Sequence, residues 1–168
     1  YTTCAEDYVT WANQYPVGDT TINGVLVHRY PVTKERNQKT FDAISRKVLG
    51  NSTHTDEEEL KWIEEQGPVC PQLLEVLKKE YKQYKAVIFM TYLYYLTAKG
   101  LPIGFENAIL IPTVHDELPV YLREYDKIFA AAKGIIWNTD AEQEFALRRF
   151  PHIRSIPSIM AGIGVDVP

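Results

Sequence analysis

The sequence predicts an α/β fold in which a mostly parallel sheet lies between helices. Three observations point there. Short apolar runs at Ala86–Met90, Ile109–Val114 and Ile135–Trp137 have the length and branching of buried strands. Amphipathic helical stretches alternate with them, the signature of strand–helix–strand units. Capping signals and Gly or Pro breakers punctuate the boundaries. The 168 residues suffice for one domain with a sizeable core, and that domain is taken as 1–168.

Thr2 to Cys4 reads as a strand end. Ala5 to Tyr15 is polar and aromatic, a loop with one helical turn. Asp19 to Val32 reads as a hairpin around Asn23-Gly24, the dipeptide that best tolerates two positive φ angles. Lys34 to Leu49 forms a helix with Phe41, Ile44 and Val48 on one face, ended by Gly50-Asn51. Thr55-Asp56-Glu57-Glu58 is a capping box opening a mostly solvated helix to Gln66, and its acidic first turn suits the helix dipole. Gly67-Pro68 breaks that helix.

Pro71 to Tyr84 is the clearest helix, because Cys70, Leu73, Leu74, Leu77, Tyr81 and Tyr84 recur at helical spacing. The Ala86–Met90 strand and a short helix over Leu96 to Gly100 follow. After the Ile109–Val114 strand, Tyr121 to Ala132 is helical, with Leu122, Tyr125, Phe129 and Ala132 on one face. Ile135 to Trp137 is the next strand core. Thr139-Asp140-Ala141-Glu142 reads as a second capping box, opening a helix to Phe150 that Pro151 stops. Residues 156–168 read as a last strand running into an interdomain linker. Strand order and right-handed crossovers then put Tyr92, His115 and Asn138 along one sheet edge, with helices on both faces.

That carboxyl edge is where open α/β sheets bind ligands. Ile109 to Glu117 ends its apolar run in His115, Asp116 and Glu117, three groups able to bind or move protons. Either they serve a site, or Asp116 or Glu117 caps the next helix. Tyr92, Tyr94 and Tyr95 could stack on sugar rings, or pack beneath a loop. Asn138 and Thr139 precede a helix N-terminus that favours anions, although the capping residues already use part of that donor capacity. His28, His54 and His152 lie in segments away from this edge. A metal hydrolase built on His115 and Asp116 remains an alternative. No dinucleotide or Walker glycine pattern occurs.

The net charge of −4 offers no basic field for nucleic acid, and no apolar stretch approaches a membrane span. Cys4 and Cys70 form no ligand pair and read as reduced thiols of a cytoplasmic protein. The opening Tyr1-Thr2-Thr3-Cys4 looks like a strand already under way, the mark of a fragment lacking an upstream β-α unit.

Thr3 to Asn13, Asn23-Gly24-Val25, Val27-His28-Arg29, Phe89 to Tyr95, Ile111 to Glu117, Trp137 to Glu142 and Gly162 to Pro168, in that order, resemble the N-terminal, acceptor-side domain of a bacterial group 1, family 4-like glycosyltransferase. The likeness covers nearly the whole chain. It implies the N-terminal half of a GT-B fold: a Rossmann-like three-layer domain, without its first β-α unit, facing a C-terminal partner domain.

By that resemblance the complete protein is a retaining, hexosyltransferase-type enzyme. It moves a sugar from a nucleotide-sugar donor to the hydroxyl of a carbohydrate or lipid-linked acceptor, with no metal or other cofactor. His115 corresponds to the residue facing the donor sugar and reaction centre. Tyr92, Tyr94, Asp116 and Glu117 line the acceptor side. The expected location is the cytoplasm, including a peripheral place at the inner membrane. Two departures stand out: the first strand with its glycine-rich loop, and the C-terminal domain with its paired glutamates, are both missing. The expectation is that this polypeptide alone transfers no sugar. The alternative function is a non-catalytic carbohydrate-binding or interaction module.

Overall fold

A computed structural model describes residues 1–50, 53–162 and 164. The fold is α/β and consistent with a Rossmann-like three-layer domain. Thr2–Thr3 (β1), Gly18–Ile22 (β2) and Val25–Tyr30 (β3) form one sheet in the order β1-β3-β2. Val87–Met90 (β4), Ala108–Ile111 (β5), Gly134–Trp137 (β6) and Ser158–Met160 (β7) form a second, all-parallel sheet in chain order. Six α-helices join them among the described residues: Gln38–Leu49 (α1), Asp56–Gln66 (α2), Pro71–Glu80 (α3), Tyr95–Gly100 (α4), Arg123–Ala131 (α5) and Asp140–Arg149 (α6).

The hairpin forms where its turn dipeptide predicts. Asn23 and Gly24 have φ of 50° and 80°, the two positive angles that match strand twist, and Ile22 pairs with Val25. Beside it, residues 5–15 form a loop with one turn at residues 8–10 and no helix. The Asp7 carboxylate holds that turn, accepting from the amides of Val9 and Thr10, both at 2.7 Å.

Helix α1 begins later than expected because Asn37 caps it, accepting from the Thr40 amide at 3.1 Å. Its terminal Gly50 is described; the Asn51 of that breaker lies outside the described residues. The reciprocal capping box of Thr55 and Glu58 is present. However, α2 is not mostly solvated. Trp62 and Ile63 are buried, and Glu59 is fully enclosed. The Glu59 carboxylate accepts from the Glu124 amide at 2.9 Å and Arg123 Nε at 3.1 Å, and lies 2.7 Å from His54 Nε2. Burial alone would raise its pKa, but these partners outweigh burial and hold it below the ordinary glutamate value. The acidic run thus hides one structural staple between α2 and α5.

Three further boundaries differ from the sequence reading. The Pro71–Tyr84 helix passes into a 3-10 turn after Glu80, so Tyr84 leaves the helical face and meets Tyr1. Strand β5 stops at Ile111, before Pro112, which cannot donate to the ladder. Residues Leu118–Tyr121 form a 3-10 turn, and α5 starts only after the extended Leu122.

The core lies on one face of the parallel sheet. Phe89, Leu110, Ile135 and Trp137 point into it, with Leu101, Tyr125, Phe129 and Phe150 opposite. Phe129 and Phe150 stack at 4.1 Å between centroids. On the other face Ile88, Met90 and Ile159 are exposed, and Ile109, Ile111 and Ile136 are only half-buried. The expected last strand is present as β7; residues 163 and 165–168, with the end of the expected linker, lie outside the described residues.

Candidate functional site

The parallel order places the ends of β4, β5 and β6 side by side, as the sequence suggested. Two of these ends turn sharply. Thr91 and Thr113 have φ of 59° and 51°, left-handed values that β-branched residues seldom take. The bends are held by hydrogen bonds, from the Thr91 amide to Ile111 O at 2.8 Å and from the Tyr92 amide to Pro112 O at 2.9 Å. Strain of this kind persists only where its surroundings over-determine it, and it concentrates at functional sites.

Beyond these bends, Tyr92, Glu117 and His115 meet. The Tyr92 hydroxyl donates to Glu117 Oε1 at 2.7 Å, and Glu117 Oε2 lies 3.6 Å from His115 Nε2. The second distance suits an ion pair when the imidazole is protonated, but is too long for a hydrogen bond. Burial, then the hydrogen bond to Glu117, pushes the Tyr92 phenol well above its ordinary range. Tyr92 therefore remains a donor, and its ring sits T-shaped against Tyr125 at 4.8 Å. It is a core residue positioning Glu117, so its expected place on the acceptor surface is corrected: at 1% exposure no ligand can stack on it. The His115 side chain, by contrast, is 71% exposed.

The Asp116 carboxylate accepts from Tyr121 Oη at 2.7 Å. With Phe145, Arg148 and Arg149 this pair lines an open concavity of about 370 Å3. Arg149 is fixed there by two bonds to Asp126, at 3.0 and 2.9 Å, and one to Val120 O at 3.1 Å. Tyr121, Phe145 and the two arginines were not foreseen. Only their helical spacing on α6 and the proximity of Tyr121 to Asp116 in the chain could have signalled them.

The second expected capping box is not reciprocal. Thr139 caps α6, accepting from the Glu142 amide at 3.1 Å. The Glu142 carboxylate does not return to the cap. It accepts instead from the amides of Val114 at 2.9 Å and Asn138 at 2.7 Å. This buried carboxylate ties the end of β5 to the end of β6 and fills the place where an anion would meet the helix N-terminus. Asn138 and Thr139 are thereby structural, not part of an open anion site.

Tyr94 and Tyr95 contact other groups. Tyr94 packs edge-on against Trp11 at 5.4 Å, and the Tyr95 amide donates to Gly67 O at 2.8 Å. Tyr94 borders a different and larger cavity, between the two sheets. The structure thus gathers His115, Glu117 and Tyr92, keeps Asp116 next to them in the chain, and gives Tyr94 and Tyr95 other neighbours.

No helix is long and apolar enough to cross a membrane among the described residues. Comparison with protein families, curated proteins and solved structures gives no match.

Proposed function

We propose that the chain is the acceptor-binding domain of a retaining glycosyltransferase, and that the complete protein moves a sugar from a nucleotide-sugar donor to an acceptor hydroxyl. The observation that carries this reading is the exposed His115 imidazole, next in the chain to Asp116 of the Asp116–Tyr121–Arg148 concavity, at the carboxyl edge of a parallel sheet. Carbohydrate recognition combines aromatic faces with planar charged groups that accept or donate paired hydrogen bonds. Tyr121 and Phe145 supply the first, and Asp116, Arg148 and Arg149 the second.

In the reaction, the acceptor oxygen forms a bond to the anomeric carbon as the bond from that carbon to the donor phosphate breaks. The departing nucleotide takes the bonding electrons, and its phosphate takes the acceptor proton. His115 donates a hydrogen bond to the reacting sugar and stabilises charge during the transfer. Glu117, held by Tyr92, orients that imidazole. Asp116 accepts from acceptor hydroxyls. The donor nucleotide is bound by a second domain, so residues 1–168 alone transfer no sugar.

The test uses the polypeptide encoded by the full open reading frame, screened with nucleotide sugars for hydrolysis and transfer. His115→Ala is expected to lower turnover by about a hundredfold, in line with loss of one transition-state donor, while nucleotide-sugar affinity stays within a few-fold. Unchanged turnover removes His115 from the chemistry. Glycan binding without turnover by the complete protein would favour a binding module instead.

A further inference from the structure

The larger cavity, of about 560 Å3, separates the two sheets. Its walls are strand edges. Thr2 and Thr3 of β1 line one side, and Val87 to Met90 of β4 line the other. Among the described residues β1 pairs only with β3, and β4 only with β5, so both facing edges are open there. The amides of Val87 and Thr91 donate toward β5, to Asn107 O at 3.0 Å and Ile111 O at 2.8 Å. Main-chain groups alternate sides along a strand, so those of Ile88 and Met90 point into the cavity. On the opposite wall the Cys4 amide donates to Tyr30 O of β3 at 2.9 Å, which turns the Thr3 main chain toward the cavity.

The two edges also run in the same direction. Tyr1, ahead of β1, packs edge-on against Tyr84, ahead of β4, at 5.9 Å. Trp11, beyond β1, packs against Tyr94, beyond β4, at 5.4 Å. Leu73 and Leu77 of α3 and Thr97 of α4 also line the space, while Ile88 and Met90 stay exposed on the open sheet face.

We propose that this slot binds one extended polypeptide strand, apolar in side chains and unpaired elsewhere, which aligns with β1 and β4 together and joins the two sheets into one. A strand in a sheet fills about 160 Å3 per residue, from a rise of about 3.3 Å, a strand spacing of about 4.8 Å and a layer of about 10 Å. The cavity therefore holds about three to four residues, similar to the length of β4. Main-chain bonding to both walls supplies affinity, as in β-strand addition, and the alternating side chains meet α3 and α4 on one face and lie beside Ile88 and Met90 on the other. A folded second copy does not fit this role. The inserted strand needs both edges free, and every strand among the described residues already has a neighbour. The inference is independent of sugar transfer.

The test uses the peptide acetyl-Lys-Val-Ile-Val-Val-Lys-amide with isotopically labelled residues 1–168. A control peptide carries N-methyl groups on its two central amides. Binding of the first peptide is expected to shift the amide resonances of Thr2, Thr3 and Val87 to Met90, and to slow hydrogen exchange at Ile88 and Met90 at least tenfold. The N-methylated peptide is expected to do neither. Ile88→Pro removes a slot-facing N–H from an edge strand, where proline is tolerated, and is expected to weaken peptide binding at least tenfold with unchanged circular dichroism. No shift at millimolar peptide, equal shifts with the N-methylated peptide, or protection that arises from self-association without peptide each overturns the proposal.

Discussion

Removing the Glu142 carboxylate is the sharpest test of how the site is held together. In Glu142→Ala two charge-assisted hydrogen bonds disappear, from the Val114 amide at 2.9 Å and the Asn138 amide at 2.7 Å. Each such bond contributes about 1.5–3 kcal/mol. Val114 is buried, so its amide loses its only side-chain acceptor in a place water does not reach, and the full cost applies. Asn138 is half-buried and recovers part of its loss by hydration. The expected sum is about 3–4 kcal/mol. For a chain of this size that lowers Tm by about 6–16 °C. Glu142→Gln keeps one acceptor oxygen but turns an NH2 toward a backbone donor, and should cost about 2 kcal/mol. Urea unfolding followed by circular dichroism gives the energies, and hydrogen exchange at Val114 shows whether the loss is local. An alanine variant destabilised by less than about 1 kcal/mol would refute the reasoning, because one buried and one half-buried charge-assisted bond cannot together weigh so little.

Other perturbations follow from the same geometry. Glu59 has a folded pKa below its unfolded value of about 4.3, so its contribution is complete above that value and fades as pH falls through the folded one. Wild type should therefore exceed Glu59→Gln in stability at pH 7, and the gap should narrow in urea melts taken progressively below about pH 4.3; a gap that widens in acid contradicts the staple. Tyr92→Phe deletes the 2.7 Å bond to Glu117 and should cost about 1.5–3 kcal/mol by thermal melting. Gly100→Ala would set a Cβ 2.3 Å from Phe89 Cε1, and overpacking of about 1–3 kcal/mol should exceed the helical advantage of alanine; a stabilised variant would show that the close approach is absent.

The sequence carried the α/β class because its signals were local. Asn23-Gly24 and Thr55 to Glu58 encode their own geometry, and the β-rich runs recur between helical faces. The edge placement of Tyr92, His115 and Asn138 followed from strand order alone. What escaped was whatever depended on a distant partner. Nothing near Glu59 indicates that Arg123 and the Glu124 amide will enclose it. The spacing of Thr139 and Glu142 matched a capping box, yet the Val114 and Asn138 amides outcompeted the cap for the carboxylate. Tyr92 and Tyr94 share a two-residue spacing, but the left-handed Thr91 directs the chain so that one ring enters the core and the other meets Trp11.

The consecutive order of β4 to β7 carries a kinetic consequence. Val87 and Ala108 come together by closing a short loop, whereas Tyr1 reaches Tyr84 across 83 residues. That difference is about two doublings of loop length, worth about 1.2 kcal/mol of closure entropy. The parallel sheet is expected to assemble first and the amino-terminal sheet to dock on it last, and a protease limited to brief native-state openings should find the margin between Tyr1 and Tyr84 before it finds the sheet.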